Sequence, residues 1–184
     1  VLGGYGSGEY LRSGAEYFPA TDTWVAMDLT GAPPARRLHT ALWTGMRLLI
    51  WGGEGASGNL SDGWYYNPDA RTWTQISNLN APTPRYEHSA VWTGAGMVVW
   101  GGKDLGALRT GGYWDWTTDT WTMVTMTNAP SSRTDHYAGY LPAYGMIVWG
   151  GRDDFNSLSD GAIYNPATDT WVLIPYTNDA PAPF

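Results

Sequence analysis

The 184 residues carry 10 Lys and Arg against 17 Asp and Glu, giving a formal charge of −7, and 43% of them are hydrophobic. A chain of this length buries roughly 70% of its unfolded surface as one domain, and its negative charge argues against DNA or RNA, whose affinity for proteins rests on cations that neutralise phosphates. The absence of cysteine removes disulfides, thiolate catalysis, iron–sulfur clusters and cysteine zinc sites, and no apolar run approaches the ~18 residues of a membrane span.

The chain opens at Val1 without a basic and apolar leader, a start consistent with a removed signal, with none, or with a fragment. Gly-Gly pairs then mark a rhythm: Gly3-Gly4, Gly52-Gly53, Gly101-Gly102 and Gly150-Gly151, 49 residues apart each time. A second marker, Trp after a polar turn, falls at Trp24, Trp73, Trp121 and Trp171. A third, Arg-x-x-His, pairs Arg36 with His39, Arg85 with His88 and Arg133 with His136. The period divides the single domain, residues 1–184, into repeats of approximately 1–35, 36–84, 85–132 and 133–184.

The first repeat starts late. Val1 aligns with Ile50, so the repeat begins near the end of its second strand and lacks its innermost one. The third shows the full pattern: short strands over His88–Gly94, Met97–Gly102, Gly111–Thr120 and Thr120–Pro130, rich in Val, Thr, Trp and Tyr and bounded by Gly, Asp or Pro. No helical period appears. The last repeat ends in Ala180–Phe184, which aligns with Ala81–Arg85, so Phe184 stands where another Arg is expected. Four short strands per repeat predict an all-β propeller of about four blades, each of four antiparallel strands, with the first blade one strand short.

Nine of the twelve tryptophans recur in phase, at Trp24, Trp73, Trp121 and Trp171, at Trp51, Trp100 and Trp149, and at Trp43 and Trp92, and are read as core. The Gly-Gly pairs supply a conformation or close approach that a side chain would forbid, and no helix follows them to make a phosphate loop. The three histidines share one phase; the leading reading is structural, hydrogen-bonded within the same blade, and a three-histidine metal site is the weaker alternative.

Tyr66-Asn67-Pro68 and Tyr164-Asn165-Pro166, each with Trp five residues after the Pro, together with Gly-Gly closing a strand, resemble the kelch repeat over the whole chain. The Trp92–Gly94 and Met97–Gly102 wording resembles bacterial secreted kelch-like proteins, which implies an extracellular or periplasmic location. The family commonly closes its ring by supplying the innermost strand of the first blade from the C-terminus. Neither terminus here contains that strand, so the expectation is a piece of a larger propeller chain, a homo-oligomer, or an imperfectly closed ring.

In kelch domains that bind acidic peptides, the arginine opening the innermost strand can face the ligand, a role the resemblance extends to Arg36, Arg85 and Arg133; an ion pair between blades is the competing reading. Trp64, Trp114 and Trp116 stand outside the recurring set and are further ligand-face candidates, Trp116 where other repeats have Pro. Asp153, Asp154 and Asn156 are weak calcium candidates in a loop without a full alternating ligand set. Asn59-Leu60-Ser61 is a sequon in a predicted loop.

The functional expectation is a non-catalytic binding module that presents its loops and central channel to a protein or glycan, without a cofactor. One alternative is an architectural, self-assembling or surface-layer segment. Another is a kelch-type enzyme such as a sugar epimerase; the kelch-like copper radical oxidases need a Tyr–Cys crosslink and are excluded by the missing cysteine.

Overall fold

The computed structural model describes residues 1–174. Its first blade holds β1 (Leu2–Gly6), β2 (Glu9–Phe18) and β3 (Thr23–Ala26); the second holds β4 (Thr40–Trp43), β5 (Leu48–Trp51), the short hairpin β6 (Glu54–Gly55) and β7 (Gly58–Asn59), then β8 (Gly63–Asn67) and β9 (Thr72–Gln75). The third comprises β10 (Ser89–Trp92), β11 (Gly96–Trp100), β12 (Gly111–Asp115) and β13 (Thr120–Met123), and the fourth β14 (Tyr137–Leu141), β15 (Gly145–Trp149), β16 (Gly161–Asn165) and β17 (Thr170–Ile174). No helix occurs among the described residues.

Each sheet runs through its strands in chain order, all antiparallel: β1-β2-β3, β4-β5-β8-β9, β10-β11-β12-β13 and β14-β15-β16-β17. The first is three-stranded, as the alignment of Val1 with Ile50 implies. Two expectations need correction. The outermost strand of the third blade ends at Met123 rather than running on to Pro130, because Val124 onward turns back toward the next blade; and the loop after Gly52-Gly53 contains the unforeseen hairpin β6–β7. The ending at Ala180–Phe184 lies outside the described residues.

The core lies between the blades. In β11, Met97 and Val99 pack toward the second blade with Leu49, Trp51 and Ile76, while Val98 and Trp100 pack toward the fourth with Met146, Val148 and Tyr164. The two-residue period of a strand thus feeds two neighbouring cores, and β11 is apolar on both faces because both are covered. Trp73, Trp121 and Trp171 stitch each blade to the preceding one, their indole N–H groups donating to the carbonyls of Asp28, Ser77 and Thr125.

The expectation that all recurring tryptophans are core fails at two positions. Trp24 is 59% exposed because no blade among the described residues packs on the side its counterparts use, and Trp43 is 58% exposed because the nearby turn carries the small Pro68, where the third blade has Trp116 to cover Trp92. Antiparallel pairing also sorts the connections onto two faces. The Gly-Gly loops and the blade-to-blade links lie at one end of the sheets, and the hairpin turns after β4, β8, β10 and β12 at the other.

Candidate ligand-binding surfaces

Arg36, Arg85 and Arg133 are all buried, each hydrogen-bonded several times within its own blade. Arg133 donates from Nε to Ser131 O (3.1 Å), from Nη1 to Gly150 O (3.0 Å) and Asp160 O (2.9 Å), and from Nη2 to Ser131 Oγ (3.0 Å) and Asp160 Oδ1 (2.8 Å). Arg85 repeats the pattern on Thr83, Gly101 and Thr110, and Arg36 on Pro34, Gly52 and Asp62. One guanidinium fork therefore ties the start of the inner strand to both ends of the Gly-Gly loop. Burial lowers the Arg85 pKa to about 10, still cationic at neutral pH. Asp62, which burial alone would push up, is held below the usual carboxylate range by its bonds to Arg36 and Trp64.

The histidines correct the expectation of bonding within a blade. His88 shares a hydrogen bond of 3.0 Å with Thr40 Oγ1 and His136 one of 2.7 Å with Ser89 Oγ, both hydroxyls belonging to the preceding blade. The rings stand edge-on to Trp51 and Trp100, centroids 5.0 and 5.4 Å apart. Burial, with the neighbouring arginine cations, lowers the pKa to about 4 for His39 and to about 3 for His88 and His136, so these imidazoles are neutral. Each sits at a different blade junction, and no group of three metal-binding side chains forms among the described residues.

The Gly-Gly pairs serve this junction. Gly52 and Gly101 adopt φ of 65° and 68°, and a Cβ there would meet His88 Cε1 at 2.8 Å or His136 Cε1 at 2.6 Å. Both anticipated reasons for glycine, left-handed backbone and close approach, operate at one residue.

Of the three irregular tryptophans, Trp114 is core, its N–H given to Asp119 Oδ1 (2.8 Å), and Trp64 is half-buried against Asp62 Oδ2 (2.7 Å). Trp116 is 38% exposed on the hairpin-turn face. The acidic loop around Asp153, Asp154 and Asn156 is internally hydrogen-bonded: Asp153 Oδ1 accepts the amides of Phe155 (2.7 Å) and Asn156 (2.6 Å), and Asp154 accepts that of Ala107 (3.1 Å) and faces Lys103 Nζ at 3.5 Å. The side-chain amide of Asn59 donates to Asp104 Oδ1 (2.8 Å).

Two residues that sequence reasoning passed over stand out on the Gly-Gly face. Leu105 is 99% exposed and Phe155 is 91% exposed, at the tips of adjacent loops joined through Asp154. The Asp153 turn fixes the Phe155 backbone, and Asp104 N–H donates to Gly106 O (3.2 Å) across Leu105. The available signal was an apolar residue set between an acidic and a small residue in each loop.

A family model described as the KLHDC2/KLHL20/DRC7 Kelch-repeats domain matches residues 1–184, the entire chain. The chain belongs to the kelch-repeat family. None of the curated proteins matches it. Kelch domains of this type are typically interaction modules rather than enzymes. Among the described residues of this kelch chain, no helix is long and apolar enough to cross a membrane.

Proposed function

We propose that this kelch chain is a non-catalytic interaction module that grips a protein partner with its Gly-Gly face, using Leu105 and Phe155 as anchors. The observation that carries the reading is the near-complete exposure of two large apolar side chains on loops pinned by their own hydrogen bonds. Burying such groups in a partner's pockets removes apolar surface from water, and a mount that is already ordered limits the entropy lost on binding. Lys103, Asp104, Asp135 and Arg152 surround them with mixed charge, suited to a polar rim. A non-catalytic role is supported by the placement of His88 and His136, which are buried between blades in the neutral form.

The test is affinity capture from the source organism, followed by calorimetry with the purified partner. Leu105→Ser with Phe155→Ser is expected to weaken binding at least about a hundredfold, or ~3 kcal/mol, without shifting Tm. Unchanged affinity in the double variant overturns the assignment.

A second reading, self-association, is favoured by the first blade. Trp24, Tyr17 and Trp43 line an apolar hollow of about 370 Å³. Sedimentation velocity over a concentration series tests it: a dimer abolished by Trp24→Asp supports self-association, and a monomer throughout removes it.

A further inference from the structure

The hairpin-turn face carries a second feature that the protein-binding reading does not use. Trp116 occupies the turn between β12 and β13 where the other blades place Pro19, Pro68 and Pro166. The turn itself needs no tryptophan. Asp115 Oδ1 already closes it by accepting the amides of Thr117 and Thr118, both at 2.8 Å, and the Thr118 hydroxyl at 3.1 Å. The indole is nevertheless fixed in place: Tyr65, Trp114 and Trp92 surround it at centroid distances of 5.1, 5.5 and 6.0 Å, the last two nearly perpendicular.

Trp116 is also the common wall of two hollows. One, of about 220 Å³, is lined by Tyr65, Thr74, Gln75, Ile76 and Asp119; the other, of about 310 Å³, by Thr44, Met46, Arg47 and Trp92. Each therefore combines an aromatic wall with hydroxyl, amide or charged groups at its edge. Asp119 Oδ1 takes the amide of Ser77 (2.9 Å) and the indole N–H of Trp114 (2.8 Å), while its Oδ2 has no hydrogen-bond donor among the described residues. On the other side Arg47 donates to Met46 O (2.8 Å) and lies only 3.9 Å from the exposed Asp69.

We propose that this ledge binds a neutral β-1,4-linked oligosaccharide, with one sugar ring against Trp116 and its neighbours in the two flanking hollows. Such a chain is a flat ribbon. Its axial C–H groups present apolar faces that stack on an indole, while its equatorial hydroxyls project sideways toward acceptors and donors such as Asp119, Gln75, Thr44 and Arg47. Each hollow has room for a sugar ring. The hydroxyl, amide and charged groups at these edges offer hydrogen bonds to sugar hydroxyls, and the free carboxylate oxygen disfavours an acidic sugar.

Cellohexaose is the probe, followed by calorimetry and by tryptophan fluorescence, with maltohexaose, the same units in a curved chain, as comparison. Saturable cellohexaose binding is expected, with maltohexaose at least tenfold weaker. Trp116→Ala, which keeps the backbone N–H that Trp116 donates to Ala95 O (3.1 Å), should lose tenfold or more, while Trp116→Tyr retains part of the affinity. Leu105→Ser with Phe155→Ser should bind cellohexaose as the unmodified chain does, which separates this site from the protein-binding face. Absence of saturation up to about 10 mM cellohexaose, or equal binding by a folded Trp116→Ala chain, overturns the proposal.

Discussion

At the scale of single residues, the buried arginines and histidines set how the protein responds to mutation and pH. Arg85 lies in a cage of backbone carbonyls and threonine hydroxyls, so removing its guanidinium strands several buried acceptors at once. Arg85→Met is expected to cost about 3–5 kcal/mol, measured as the loss in urea-unfolding free energy. The histidines act in the opposite sense, because their folded-state pKa values lie below the unfolded value of 6.5. Protons therefore bind the unfolded chain first. Stability is full above pH 6.5 and falls as pH drops toward the folded values; at pH 5 the loss is about 2 kcal/mol for each of His88 and His136. Urea titrations at pH 7 and pH 5 check this, and His88→Asn should flatten the slope.

Residue roles were unequally legible in the sequence. Arginine phase was visible, but its partners are mostly backbone carbonyls, those of Gly52, Gly101 and Gly150 among them, and a backbone acceptor has no side-chain signature. A recurring cation consequently read as a ligand contact or an ion pair between blades, whereas Arg36 and Arg133 pair with Asp62 and Asp160 of their own blades. Trp116 was visible because it replaces Pro; Leu105 and Phe155 passed unnoticed because a lone apolar residue in a loop has no period.

At the scale of elements, the Gly-Gly bend is the point where one blade's loop meets the next blade's inner strand. Gly101→Ala would place a methyl group in a left-handed backbone and against the His136 ring, whereas Gly94→Ala, also left-handed with φ of 96°, points into open space. Strain alone costs about 1–3 kcal/mol, so Gly101→Ala should be the more destabilising of the pair, a difference that thermal unfolding resolves. The strands themselves were readable from alternation and turn residues. The β6–β7 hairpin was not, since two-residue strands fall below any hydrophobic period.

At the scale of the molecule, cohesion resides between blades, and a tryptophan's worth depends on its neighbours rather than its phase. Trp121 packs against Trp51 and donates to Ser77 O, whereas the in-phase Trp24 is mostly exposed. Trp121→Ala is expected to cost about 3–5 kcal/mol and Trp24→Ala under about 1 kcal/mol, read from denaturant midpoints. The 49-residue spacing made the propeller legible, because repetition multiplies a weak local signal; exposure, which separates Trp24 from Trp121, depends on contacts that no single repeat encodes.

The same division separates scaffold from function: the recurring arginines are hydrogen-bonded inside their blades, and the two most exposed large apolar groups on the Gly-Gly face, Leu105 and Phe155, are irregular. Calorimetric titration of the captured protein partner against the unmodified chain and against Leu105→Ser with Phe155→Ser tests this most directly. The double variant is expected to keep its Tm and lose binding. A double variant that binds as tightly as the unmodified chain would contradict it.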